Sequence, residues 1–139
     1  MSHIILVACA SQKGVRHAKA ADLYQSSLFR KSIAYARSLR PDAIFILSAK
    51  HGLLGVDDEI APYNVTLNEM SRAAVGEWAL RVLDQLRQVA DLQADHFTFL
   101  AGERYRRSLL PHIAHYTVPM TGLGIGRQLK FLTEAVSDG

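Results

Sequence analysis

Segments typical of buried β-strands alternate along this chain with segments that have the apolar spacing of helices. His3 to Ala8 (HIILVA) and Ala43 to Leu47 (AIFIL) are almost uninterrupted apolar runs, which indicate strands covered on both faces. His96 to Ala101 and His115 to Val118 predict two further strands. This order predicts an α/β fold, a single three-layer, Rossmann-like domain with about four mostly parallel strands and helices on both faces.

Helix signals lie between and after these strands. A first helix is expected to begin at Ser26 or Ser27 and to end before Pro41. A long helix is expected to begin near Asn68 or Ser71, because apolar residues then recur at helical spacing for four turns. A closing helix is expected to bury four aliphatic side chains: Ile125, Leu129, Leu132 and Val136.

Length and composition indicate one globular domain over residues 1–139. The single cysteine, Cys9, excludes an internal disulfide and suits a reducing, cytoplasmic compartment. The first apolar segment is too short for a signal sequence or a membrane span, so no membrane association is expected. A net charge of +3 mildly favours anionic ligands.

Polar and glycine-rich segments follow each predicted strand. In open α/β sheets ligands bind beyond the carboxyl ends of the strands, so these segments are expected to meet at one edge. In chain order they contain Cys9, Ser11 and Lys13; Ser48, Lys50 and His51; Gly102, Glu103, Arg104 and Tyr105; and Gly122 to Arg127.

Three residues are candidates for catalysis. Cys9 is a possible nucleophile, since a thiol beside Lys13 would have a lowered pKa, although a free cysteine at a strand end is more often a small buried residue. His51 suits proton transfer near neutral pH, and a structural, hydrogen-bonded histidine is the equal alternative. Asp58, close to the rigid Pro62–Tyr63 pair, is the best candidate among three neighbouring acids that are otherwise solvated.

The candidates for binding fall into three chemical groups. Lys13 and Lys50 can neutralise a phosphate, with Ser11 and Ser48 nearby as hydroxyl partners, although exposed lysines are usually only solvated. Tyr24 can stack on a base or pack against a helix, and Tyr63 is a second stacking candidate. The turn GLGIGR resembles a phosphate cradle and equally a tight turn into a helix; its residues of interest are Gly122, Gly124, Gly126 and Arg127.

The histidines form no pattern typical of a metal site. His112 and His115 are three residues apart, but no carboxylate is spaced to complete a ligand set with them. The sequence therefore predicts no metal and no cofactor, and it leaves the oligomeric state open.

Two family resemblances rest on quoted segments. The wider chain resembles an uncharacterised family of short bacterial and phage proteins, with the motifs C-x-S-x-K (residues 9–13), LY-x-S-x-LF (residues 23–29) and SAK-[YH]-GLL (residues 48–54). Residues 47–63 resemble the signature of the YaaA peroxide-stress family, LSG-x-YGLL-x-P-x-D-x-I-x-PY. Ala49, His51 and Val56 stand where that signature has glycine, tyrosine and proline.

These resemblances imply an α/β domain that binds a nucleotide or a nucleic-acid component at the loops beyond the carboxyl ends of its strands. Related domains occur beside base-modifying enzymes, which implies chemistry at a nucleobase or an N-glycosidic bond. This chain is shorter than YaaA proteins, in which a helix-hairpin-helix element is expected, so DNA binding is not directly implied. Two hypotheses remain: a nucleotide- or nucleobase-directed enzyme, and a non-catalytic YaaA-like DNA- or nucleotide-binding stress protein.

Overall fold

The fold is seen in a computed structural model, which describes residues 2–8, 18–19, 27–60 and 67–137. The strands in those ranges are β1 (His3–Ala8), β2 (Ala18–Lys19), β3 (Ala43–Ser48), β4 (Gly52–Gly55), β5 (Glu59–Ile60), β6 (His96–Leu100) and β7 (His115–Thr117). The helices are α1 (Ser27–Ser38), α2 (Arg72–Arg87), α3 (Glu103–Arg106) and α4 (Ile125–Ser137), with 3-10 turns at Leu67–Glu69 and Leu110–His112.

A five-stranded mixed sheet forms the centre, in the order β4-β3-β1-β6-β7. The strands β3, β1, β6 and β7 run parallel, which confirms the prediction of an α/β fold with a mostly parallel sheet. The antiparallel edge strand β4 was not predicted. A separate antiparallel pair joins β2 and β5.

Alternate residues of β1 belong to two separate apolar clusters. Ile4 and Leu6 pack in one cluster with the buried face of α2, whereas Ile5 and Val7 pack in the other with α1. Successive side chains of a strand point to opposite faces, so the two clusters lie on opposite sides of β1. This explains why β1 is almost entirely apolar.

The long helix begins where the sequence predicts. Ser71 is the N-cap of α2, and its hydroxyl oxygen accepts a hydrogen bond from the Ala74 N–H at 3.1 Å. The first helix ends at Ser38, before Pro41, and Arg40 has a positive φ of 49°. Both boundaries follow from local chemistry.

The closing helix is less buried than its spacing predicts. Leu132 is fully buried, but Ile125 is 66% exposed, so the expectation that Ile125 is a core residue is wrong. Val136 is also exposed. The reason is that α4 packs against α1, with Phe131 edge-to-face on Tyr35, and this contact covers a narrow stripe of the helix.

A buried carboxylate connects the amino ends of β1 and β6. Asp95 is 8% exposed, and its two oxygens accept hydrogen bonds from the Ser2 N–H (2.7 Å) and the Asp91 N–H (2.8 Å). The hydrogen bond from Asp91, and next the one from Ser2, hold the pKa of Asp95 below its ordinary value of 3.8. The ionised form is therefore the one that the fold stabilises.

We expect Asp95→Asn to lower the free energy of unfolding at pH 7. Because the folded-state pKa is depressed, the contribution of Asp95 is fully present above pH 3.8 and is lost as the pH falls through the folded-state value. The deficit of the variant should therefore narrow below pH 3.8, as measured by urea unfolding across a pH series. Asp84→Asn, in an exposed pair with Arg87, is the control and should show little change. If the stability difference between Asp95→Asn and the unsubstituted protein did not vary with pH, the ionised carboxylate of Asp95 would not be its cause.

Candidate functional site

A cavity of about 260 Å³ lies at the carboxyl ends of β1 and β6. Ala8 at the end of β1 lines it, together with residues 99–106, which include the end of β6 and all of α3. The other described residues that line it come from α1, from the segment after β7 and from the first turn of α4: Leu28, Phe29, Ser32, Val118, Met120 and Gln128.

The position of the cavity follows from the strand order. From β1 the chain crosses to β3 on one side, and from β6 it crosses to β7 on the other side. The connections after the adjacent strands β1 and β6 therefore diverge, which opens a crevice between them. Ligands of open α/β sheets bind at such a switch point.

The lining combines an apolar floor with a few polar groups. Phe29 and Leu100, which are buried in the apolar cluster on the α1 side of the sheet, are side chains of the floor. Ser32 is buried as well, and Gln128 is half-buried with its amide N–H₂ donating to the Leu123 carbonyl at 2.7 Å. This composition is typical of a small-molecule pocket.

Two arginines at the rim are held in place by backbone carbonyls. Arg104 donates from Nε to the Leu67 carbonyl (2.9 Å) and from Nη2 to the Met70 carbonyl (2.6 Å). Arg106 donates from Nη1 to the Ala101 carbonyl at 2.7 Å. A guanidinium has five N–H donors, so each side chain is positioned by some of them and keeps others for a ligand.

Among the described residues that line the cavity, Glu103 is the one with a carboxylate. Its Oε1 accepts a hydrogen bond from Arg107 Nη2 at 2.5 Å, and this bond, with the charge of Arg107, lowers the pKa of Glu103 below its ordinary value. The side chain is thus ionised at neutral pH and can accept hydrogen bonds from a ligand. The sequence places Glu103 after the third predicted strand, but no motif there marks it as a site residue.

The candidates after β3 lie in a hairpin rather than in a long loop. The chain reverses directly from β3 into β4, and the Ser48 hydroxyl oxygen accepts a hydrogen bond from the His51 N–H at 3.1 Å. The carbonyl of Lys50 accepts from Arg81 Nη2 (3.1 Å), which ties the turn to α2. The turn is tight because Gly52 takes a positive φ of 76°. Ser48, Lys50 and His51 do not line the cavity.

His51 is partly buried and lies near two positively charged side chains. Burial, followed by the nearby charges of Lys50 and Arg81, holds the pKa of its imidazole below the ordinary value of 6.5. The ring is therefore predominantly neutral at pH 7.

Asp58 closes a turn after β4. Its Oδ2 accepts a hydrogen bond from the Gly55 N–H at 2.8 Å, and its own N–H donates to the Gly55 carbonyl at 3.2 Å. Side-chain to backbone bonds of this kind are what favours aspartate in turns. Asp58 does not line the cavity either.

The glycine turn leads into α4 beside the cavity. Gly122 has a positive φ of 80°, and the Gly124 carbonyl accepts a hydrogen bond from the Gln128 N–H at 2.9 Å. Gly124, Gly126 and Arg127 are exposed and are not among the cavity residues. The residue near this turn that lines the cavity is Gln128, in the first turn of α4, and the sequence did not indicate it.

A family model matches residues 4–134, and its description reads Family of unknown function (DUF6884). The chain belongs to this family. The expectation of an uncharacterised family is confirmed, and nothing in the match links DUF6884 to the YaaA proteins. Neither the curated proteins nor the solved structures contain a match to this chain.

Some predicted site residues of this DUF6884 protein lie outside the described ranges: Cys9, Ser11, Lys13, Tyr24 and Tyr63. Within those ranges, no three or more His, Cys, Asp and Glu side chains are grouped so that they would hold a metal ion. No helix among the described residues has the length and hydropathy needed to cross a membrane.

Proposed function

We propose that this DUF6884 protein is a cytoplasmic enzyme that binds a nucleotide or nucleobase in the cavity between β1 and β6. The reaction class is chemistry at the base or at its N-glycosidic bond. The observation that carries the proposal is a cavity with an apolar floor and two anchored guanidinium groups at a switch point. As part of this proposal, the domain is a three-layer, Rossmann-like fold.

The size of the cavity favours a small ligand. At about 260 Å³ it is slightly below the roughly 300–1,000 Å³ of ordinary ligand pockets. A flat base is compatible with the apolar floor that includes the ring of Phe29, while a phosphate at the rim would meet Arg106.

In this proposal Glu103 accepts hydrogen bonds from the ligand. It is a carboxylate on the cavity, whereas His51 and Asp58 do not line it. Cys9 directly follows Ala8, a cavity residue, and its role as a nucleophile stays a prediction.

Calorimetric titration with a panel of mononucleotides, nucleosides and free bases tests the proposal. We expect at least one to bind, and Arg106→Gln to weaken the binding of a mononucleotide by about 1.5–3 kcal/mol, the range for a hydrogen bond to a charged group. This equals an increase in Kd of roughly 10- to 150-fold. Lys50→Ala, which removes a cation of the same edge outside the cavity, should leave Kd unchanged. Absence of binding by the whole panel would refute the proposal.

The arginines also support a second candidate, non-catalytic YaaA-like binding of DNA. Three arginines, Arg104, Arg106 and Arg107, lie in or directly after the short helix α3, at the carboxyl edge of the sheet. A salt series separates the candidates, because affinity for a duplex falls steeply with salt when many phosphates are neutralised. A steep slope with duplex DNA, together with no binding of nucleotides, would favour this second candidate.

A further inference from the structure

A second depression adjoins the cavity on the side of β7. It is wider and more open, about 490 Å³, and it shares Glu103, Arg106 and Val118 with the first. Three residues line both spaces, so the two spaces adjoin each other and can serve as two compartments of one site. The cavity between β1 and β6 is the inner compartment, and the depression beside β7 is the outer compartment.

An exposed aromatic ring lines the outer compartment. Tyr116 of β7 is 46% exposed, and Leu110 and Pro111 add apolar surface to the same space. A half-exposed tyrosine beside apolar side chains has part of its ring face or edge open to solvent. Bases of nucleic acids stack on such faces with little regard to sequence.

Cationic groups lie where the two compartments meet. Arg106 lines both spaces, and Arg107 lines the outer one. Glu103 also lines both and is paired with Arg107, which leaves one positive charge in excess among these three side chains. An anion that joins two planar groups would therefore fit at the boundary.

We infer that the ligand has two parts, namely two nucleosides joined by a phosphodiester. One base occupies the inner compartment, the linking phosphate lies at Arg106, and the second base stacks on Tyr116. This inference rests on the proposed function and specifies its substrate class. A free dinucleotide and a dinucleotide step in a single strand have this chemistry in common.

The test compares a mononucleotide, a 3′–5′-linked dinucleotide and a single-stranded hexamer, each made with each of the four bases. We expect the best dinucleotide to bind about tenfold more tightly than its mononucleotide, in line with the contribution of one stacked base. Tyr116→Ala should remove this gain and leave the affinity for the mononucleotide unchanged, while Tyr116→Phe should keep the gain. Leu80→Ala, at an exposed position of α2, is the control and should alter neither affinity.

The outcomes separate this inference from the proposed function. Equal affinity for mononucleotide and dinucleotide, with no effect of Tyr116→Ala, overturns the inference while the proposed function stands. Failure of every nucleotide to bind overturns both. If the hexamer binds more tightly than the dinucleotide, the inference is supported and the ligand is a segment of a single strand. If the two bind equally, the inference is supported and the ligand is a free dinucleotide.

Discussion

Replacing Trp78 with alanine is expected to lower the free energy of unfolding by about 3–5 kcal/mol, because the change removes a large side chain from a packed core. Trp78 is 3% exposed and lies edge-to-face against Tyr105, with ring centroids 5.8 Å apart. Its indole N–H also donates a hydrogen bond to the carbonyl of Ser48 at 2.8 Å. The substitution therefore leaves both a cavity and a buried carbonyl that loses this donor.

Urea unfolding followed by circular dichroism measures this loss. Leu80 lies two residues further along α2 and is 61% exposed, so Leu80→Ala should change stability by no more than about 0.5 kcal/mol. A loss below about 1 kcal/mol for Trp78→Ala would show that this face of α2 is not part of the core.

Gly52→Ala is expected to cost about 2–4 kcal/mol, the second-largest effect. Part of this is the cost of about 1–2 kcal/mol for a side chain in the left-handed region, where Gly52 lies with a φ of 76°. The rest arises because the new methyl group would collide with Gln85 Oε1. That oxygen accepts a hydrogen bond from the Leu53 N–H at 2.9 Å, so moving it breaks the link between the hairpin and α2.

The same change at Gly76 provides a control of opposite sign. Gly76 is inside α2, and a methyl group added there meets no atom within 4 Å. Gly76→Ala should therefore stabilise the protein by up to about 1 kcal/mol through helix propensity. Equal effects at both glycines would contradict the role given to Gly52.

The sequence signals were sufficient where a local rule and the packing agree. The apolar run of β1 predicted a strand with two covered faces, and Ser71 together with the spacing of Trp78 and Val82 predicted α2. The closing helix shows the limit, because spacing identifies an apolar stripe but not how much of it a partner covers. Ile125 continues the stripe and is nevertheless exposed.

The sequence predicted the edge of the sheet at which the candidate site lies, but not the set of residues that line it. The rule that ligands lie beyond the carboxyl ends of strands pointed to the segments after β1 and β6, which include Glu103. It did not indicate Ser32 or Gln128, which reach the cavity from α1 and α4 through tertiary packing. It also could not distinguish a loop after β3 from a hairpin, since that depended on the backbone conformation of Gly52.

The place of β1 in the middle of the sheet affects how the protein is made. Ser2 and Asp95, which meet across the β1–β6 pair, are 93 positions apart in the chain. At a synthesis rate of about 5–20 residues per second, β1 waits roughly 5–20 s on the ribosome for that neighbour. During this interval one edge of a strongly apolar strand has no native partner. Cells at higher temperature or with few chaperones should therefore lose more of this protein to aggregation than its equilibrium stability alone implies.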